Sequence, residues 1–105
     1  MRFMARALDL EETQVAELAR IINELKTERA QAAVDERRTI SKIADALDSD
    51  TFDEAKVKEA VDQRVKNATT LRDAVTGALS KTHAVLSPEQ RKKLAYLLRS
   101  GALSI

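Results

Sequence analysis

Apolar residues along this chain recur every three or four positions and almost never alternate with polar ones. Val15, Leu18, Ile22 and Leu25 step by three and four, Ala32 or Ala33 continues the series, and Ile40, Ile43 and Leu47 complete it. This is the helical period. It predicts one helix from about Glu11 to Leu47, roughly ten turns and on the order of 50 Å long. Large apolar groups are scarce between Arg29 and Arg38, so the middle either packs closely through alanine or faces solvent. Asp48-Ser49-Asp50-Thr51-Phe52-Asp53-Glu54 breaks the pattern. Thr51 and Glu54 have capping-box spacing, which predicts a new helix starting there with Phe52 folded over the tip of the hairpin. A second series, Val57, Val61, Val65, Ala68, Leu71, Val75 and Leu79, runs to about Val85. Gly77 within it costs about 1 kcal/mol relative to alanine and marks a bend or a close helix crossing.

The two ends carry shorter elements. Arg2 to Leu8 predicts a short helix with Phe3, Met4 and Leu8 on one face. Asp9 then offers an N-cap with Glu12 three residues on, and the pattern leaves open whether the chain breaks there or runs straight through. At the other end, Leu86-Ser87-Pro88-Glu89-Gln90 opens a last helix. Ser87 caps free backbone N–H groups, and Pro88 occupies the first helical position, where its missing N–H costs nothing. Glu89 complements the positive helix end, and Gln90 reaches back to the cap. Leu94, Leu97 and Leu98 form the buried face, and Gly101 ends the helix. A looser copy of the same start, Leu8-Asp9-Leu10-Glu11-Glu12-Thr13-Gln14, lies near the N-terminus. A chain that runs out and back along two helices of similar length brings both copies to one end.

Composition agrees with this reading and thins the expected core. The 105 residues include 2 Gly, 1 Pro, 1 Tyr, 2 Phe and no Trp or Cys, and 33% are charged. That is the composition of long helices, and residues 1–105 read as one domain. Alanine and valine bury little area each, so a pair of helices built from them calls for a second copy, and a homodimer is expected. Formal net charge is +1, so bulk electrostatics recruits neither nucleic acid nor acidic membranes. The charges are unevenly placed. Asp45 to Glu54 holds five acids and no base, whereas Lys81, Arg91, Lys92, Lys93 and Arg99 face one acid in the C-terminal stretch. Two antiparallel copies would bring these ends together, although ordinary capping charges on solvated helix ends have the same look. Without cysteine there is no disulfide and no thiolate site. No apolar run is long enough to span a bilayer.

Catalytic chemistry finds no foothold. No paired carboxylates stand in an apolar setting, the serines and threonines lack a nucleophile elbow, and no glycine loop cradles phosphate. The chain reads as a non-enzyme with no cofactor. His83 is the single histidine, and a transition-metal site needs three or four compatible ligands. It is therefore a remote metal candidate, more simply a half-exposed residue near a helix end.

Two L-x-x-x-Q helix starts flanking a long hairpin resemble the LTxxQ family, the periplasmic chaperones typified by Spy and CpxP. Leu86-Ser87-Pro88-Glu89-Gln90 matches with Ser for Thr. In the first copy only Leu10 and Gln14 match, and Glu11 stands where Thr is expected. Phe52-Asp53-Glu54-Ala55-Lys56-Val57 also looks like this family's entry into its second long helix. The resemblance implies an all-α hairpin with short flanking helices that dimerises into a curved cradle. It implies binding of unfolded or stress-related client proteins without ATP, in the periplasm, with the export signal removed. A membrane signalling partner is a further implied possibility. Related branches sense or resist heavy metals, which supplies the alternative reading. On the client-binding reading, Arg37 and Arg64 supply charge while Phe3, Met4, Ile40, Ile43, Leu47 and Phe52 supply apolar contacts. Leu10, Gln14, Leu86, Ser87, Pro88, Glu89 and Gln90 are structural caps. A plain dimerisation or scaffold domain is the third reading.

Overall fold

A computed structural model describes residues 1–104. Four helices follow one another: α1 (Arg2–Ala7), α2 (Glu12–Asp48), α3 (Glu54–Val85) and α4 (Pro88–Ser100). The chain is all-α among the described residues, with two long helices packed together and a short one at each end, as the periodicity predicts. The helix ends are chemically explicit at some points and differ from expectation at others. Asp9 does not cap α2. It takes a left-handed φ of 51° and serves as the residue that ends α1. The Asp9 N–H donates to the Arg6 carbonyl at 3.3 Å and the Leu10 N–H to the Ala5 carbonyl at 3.0 Å, a Schellman pair that uses up two orphan carbonyls. Likewise Thr51 is not the cap of α3. Asp53 is, its carboxylate accepting from the Lys56 N–H at 3.2 Å. Aspartate is as good a cap as threonine, and it stands next to the first helical residue. Phe52, freed from the turn, is 55% exposed instead of folding over the tip.

The molecule divides into two compact units. The first takes in Met1–Glu24 and the chain from Gly77 onward; the second is Leu25–Thr76. The first unit holds the apolar core: Leu8, Leu18, Ile21, Leu86 and Leu97 are buried together, with Met4, Leu10, Ala78, Val85, Leu94 and Leu103 packed against them. Leu18 is the most completely enclosed side chain, 1% exposed. Ile21, not Ile22, turns fully inward. Lys81 reaches Glu24 across the two long helices at 3.4 Å.

In the second unit α2 and α3 also run side by side, but the contact is made of small and polar groups. Its buried residues are Thr39, Ala46 and Ala60. Thr39 satisfies its hydroxyl on the Asp35 carbonyl one turn back, at 2.9 Å. Arg64 pairs with Glu36 at 2.8 Å, both side chains well exposed. The predicted valine stripe forms this seam only in part. Val57, Ala60, Asn67, Leu71, Ala74 and Val75 are its buried or half-buried positions on α3, while Val61, Val65 and Ala68 are exposed. The distance between packed helices follows the side chains at their contact. Alanines at 46 and 60 permit a close approach, and the valines one position on are rotated about 100° away from it.

Gly77 marks no close crossing: a Cβ built there meets nothing within 4 Å. Replacing Gly77 with alanine should therefore stabilise the protein by about 0.5–1 kcal/mol through helix propensity alone, read as a higher urea midpoint with an unchanged slope. Leu18→Ala should cost about 2–5 kcal/mol, a large part of what a domain this small has in hand. Both variants are checked by the same chemical denaturation.

Candidate functional site

The two helix starts singled out in the sequence meet in the first unit, and they meet through their glutamines. Ser87 accepts from the Gln90 N–H at 3.3 Å while the Gln90 side-chain oxygen accepts from the Ser87 N–H at 2.9 Å. This is the reciprocal capping box expected from the spacing, with Pro88 opening α4 and Glu89 in its first turn. At α2 only half of such a box exists. The Gln14 side-chain oxygen accepts from the Glu11 N–H at 2.9 Å, the counterpart of the bond between Ser87 N–H and the Gln90 side-chain oxygen.

What the spacing does not reveal is that the two amides pair with each other. Gln14 Nε2 donates to Gln90 Oε1 at 2.7 Å, and Gln90 Nε2 donates to Gln14 Oε1 at 3.0 Å. The remaining hydrogens are also used. Gln14 Nε2 donates to the Val85 carbonyl at 3.0 Å. Gln90 Nε2 is shared between the carbonyls of Leu8 and Asp9, each at 3.2 Å. An amide offers two donors and one oxygen with two lone pairs, and here both are fully engaged. The pair thus ties together the end of α1, the start of α2, the last turn of α3 and the start of α4. Arg91 adds a further tie, donating through Nε to the His83 carbonyl at 2.8 Å in the last turn of α3. Leu86 is buried and Leu10 half-buried beneath the glutamines, in contact with the same apolar cluster. The signal for the amide pair lay in the sequence as the recurrence of glutamine at equivalent places in two separate helix starts.

The residues proposed for client contact are distributed over both units. In the first, Phe3 is 53% exposed and lines an open depression with Arg2 and Arg6, while Met4 packs on the apolar core. In the second, Ile40, Leu47 and Phe52 are exposed, Ile43 is half-buried, Arg37 is exposed, and Arg64 holds its bridge to Glu36. Helix geometry sorts these further. Leu47 follows buried Ala46 and Val61 follows buried Ala60, and both alanines line one cleft. One residue on is a rotation of about 100°. On two antiparallel helices those rotations carry both side chains to the same flank of the pair. Ile40, following buried Thr39, and Val65 extend that flank. Val61 and Val65 belong to the periodic apolar series of α3, and the structure leaves them outside the seam, 45% and 64% exposed. Arg37 stands three residues before Ile40 and Lys58 three before Val61, so bases border the apolar positions on both helices.

His83 is exposed. Among the described residues no group of three or more His, Cys, Asp or Glu side chains converges on a point that could hold a metal ion. No helix among the described residues is long and apolar enough to cross a membrane.

Two long helices flanked by two short ones, with a glutamine pair at the helix starts, make this an all-helical hairpin protein. The chain belongs to the LTXXQ motif family, which it matches over residues 1–98. Neither the curated proteins nor the solved structures include one that matches it.

If the amide pair is the tie that geometry describes, removing one partner strands the other. Gln14→Ala and Gln90→Ala should each cost about 1–3 kcal/mol. A double-mutant cycle should give a coupling of about 0.5–3 kcal/mol, measured by urea denaturation. A coupling near zero would mean that each glutamine acts only as a local cap.

Proposed function

We propose that this protein binds unfolded or stress-related client proteins in the periplasm without ATP, as a chaperone-like member of the LTXXQ family. The observation that carries this reading is the flank formed by Ile40, Leu47, Val61 and Val65, apolar and exposed, with Arg37 and Lys58 bordering it. Charge speeds the capture of a flexible chain, and scattered aliphatic side chains hold it without demanding one bound shape. Phe52 at the turn and Phe3 on α1 add exposed aromatic contacts of the same kind.

A homodimer belongs to the proposal. The chain exposes 7938 Å², whereas a globular monomer of its mass exposes roughly 5,900 Å². The difference exceeds the ~800 Å² per partner of a standard interface. It leaves room for a second copy and a client together. The alternative reading, a heavy-metal sensor or resistance domain acting through a partner protein, has no convergent ligand set among the described residues to support it.

The test is aggregation of a chemically denatured model protein, followed by light scattering at stoichiometric amounts of this protein with no nucleotide. Suppression is expected, and Leu47→Ser combined with Val61→Ser should weaken it several-fold while leaving helix content unchanged. Absence of suppression at several-fold excess would refute the chaperone reading. Sedimentation equilibrium gives the companion result: a mass twice that of the chain is expected at micromolar concentration.

A further inference from the structure

Between α2 and α3 in the second unit lies a cavity of about 50 Å³ lined by Glu28, Gln31, Asp35, Asn67 and Thr70 among others. One of its lining residues, Asn67, carries the one buried side-chain polar atom without a partner among the described residues, Nδ2. The other groups around it are largely accounted for. Asn67 Oδ1 accepts from Gln63 Nε2 at 2.8 Å. Asp35 Oδ1 accepts from Gln31 Nε2 at 3.0 Å. The Thr70 hydroxyl donates to the Lys66 carbonyl at 3.1 Å. The lining thus sets Asn67 on one helix against the carboxylates Asp35 and Glu28 on the other.

We propose that this cavity is a water site, in which a bound water accepts from Asn67 Nδ2 and donates to a carboxylate of α2. The chemistry of the wall selects the occupant. A cation would meet the positive end of the amide N–H. An anion would meet two carboxylates. An apolar group would leave the Asn67 donor unsatisfied, at a cost of about 1–3 kcal/mol. Water donates and accepts at once, and the volume is several times the ~10–15 Å³ that one water needs. Such a bridge links the two helices through solvent at a level where Ala32 and Leu71 also line the cavity. It also fixes register, because sliding one helix past the other would part the asparagine from its carboxylates. A single buried asparagine sets register in this way in coiled coils.

Two measurements on the full chain decide it. In a crystal structure at a resolution that shows ordered solvent, a water should lie within about 2.7–3.2 Å of Asn67 Nδ2 and of a carboxylate oxygen of Asp35 or Glu28. In solution, the Asn67 side-chain amide protons should show a cross-peak to a long-lived water, and Asn67→Leu should abolish the long-lived water at this level. A direct Asn67–Asp35 or Asn67–Glu28 hydrogen bond with no water between, or amide protons with no water cross-peak, would overturn the proposal. Both wild-type readouts stand even if the leucine variant fails to fold.

Discussion

The head-to-head pairing of Gln14 and Gln90 is the constraint on which the first unit turns. Side-chain amides in a half-buried position must find partners or leave costly unpaired groups. Here each amide satisfies the other, and the pair spends its remaining capacity on backbone groups at the end of α1, the start of α2, the end of α3 and the start of α4. A hydrophobic contact in the same place would bring the helices together, yet it would not specify how their ends align. Hydrogen bonds do, because their geometry tolerates little error. The leucines at 8, 18, 86 and 97 supply the burial, and the amides supply the alignment.

The two units solve the same packing problem with different materials. The first buries leucine and isoleucine between four helical segments. The second has two helices only, and two helices cannot enclose a large side chain on every side. Alanine at 46 and 60 and a self-satisfied threonine at 39 suit a contact of that kind, because they cost little when packing is one layer thick. The aliphatic side chains that a thicker core would have absorbed stand on the flank. Sparse core and exposed flank are therefore one fact: a contact made of small residues leaves the larger ones for something else to cover.

Most of the architecture was legible in the sequence. Spacing of three and four marked the two long helices to within a few residues, and Ser87-Pro88-Glu89-Gln90 announced the start of α4 with every role as drawn. The failures have a common physical origin. Thr51 and Asp9 were chosen as caps because their partners stood at the right spacing, but two neighbouring residues competed for the role at α3, and at α1 the chain needed a left-handed residue more than it needed a cap. On α3 the seam keeps Val57, Leu71 and Val75 of the periodic series but turns Ala60 and Asn67 inward in place of Val61 and Val65. Site residues were legible in part. Phe3, Ile40, Leu47 and Phe52 are exposed and Met4 packs on the core, while Val61 and Val65 keep the helical period and yet face outward. The amide pair joins residues too far apart in the chain for any local pattern to reveal.

That separation has a consequence for how the protein comes to be folded. Gln14 and Gln90 are 76 positions apart, so the chain must close a long loop before their bonds return anything. Contacts of such range form slowly, and during synthesis they must wait until Gln90 has emerged. Until then the N-terminal segment has no lock, and leucines 8 and 18 are as available to other chains as they are to their own. For that interval the growing chain carries bare the apolar side chains that its finished core covers.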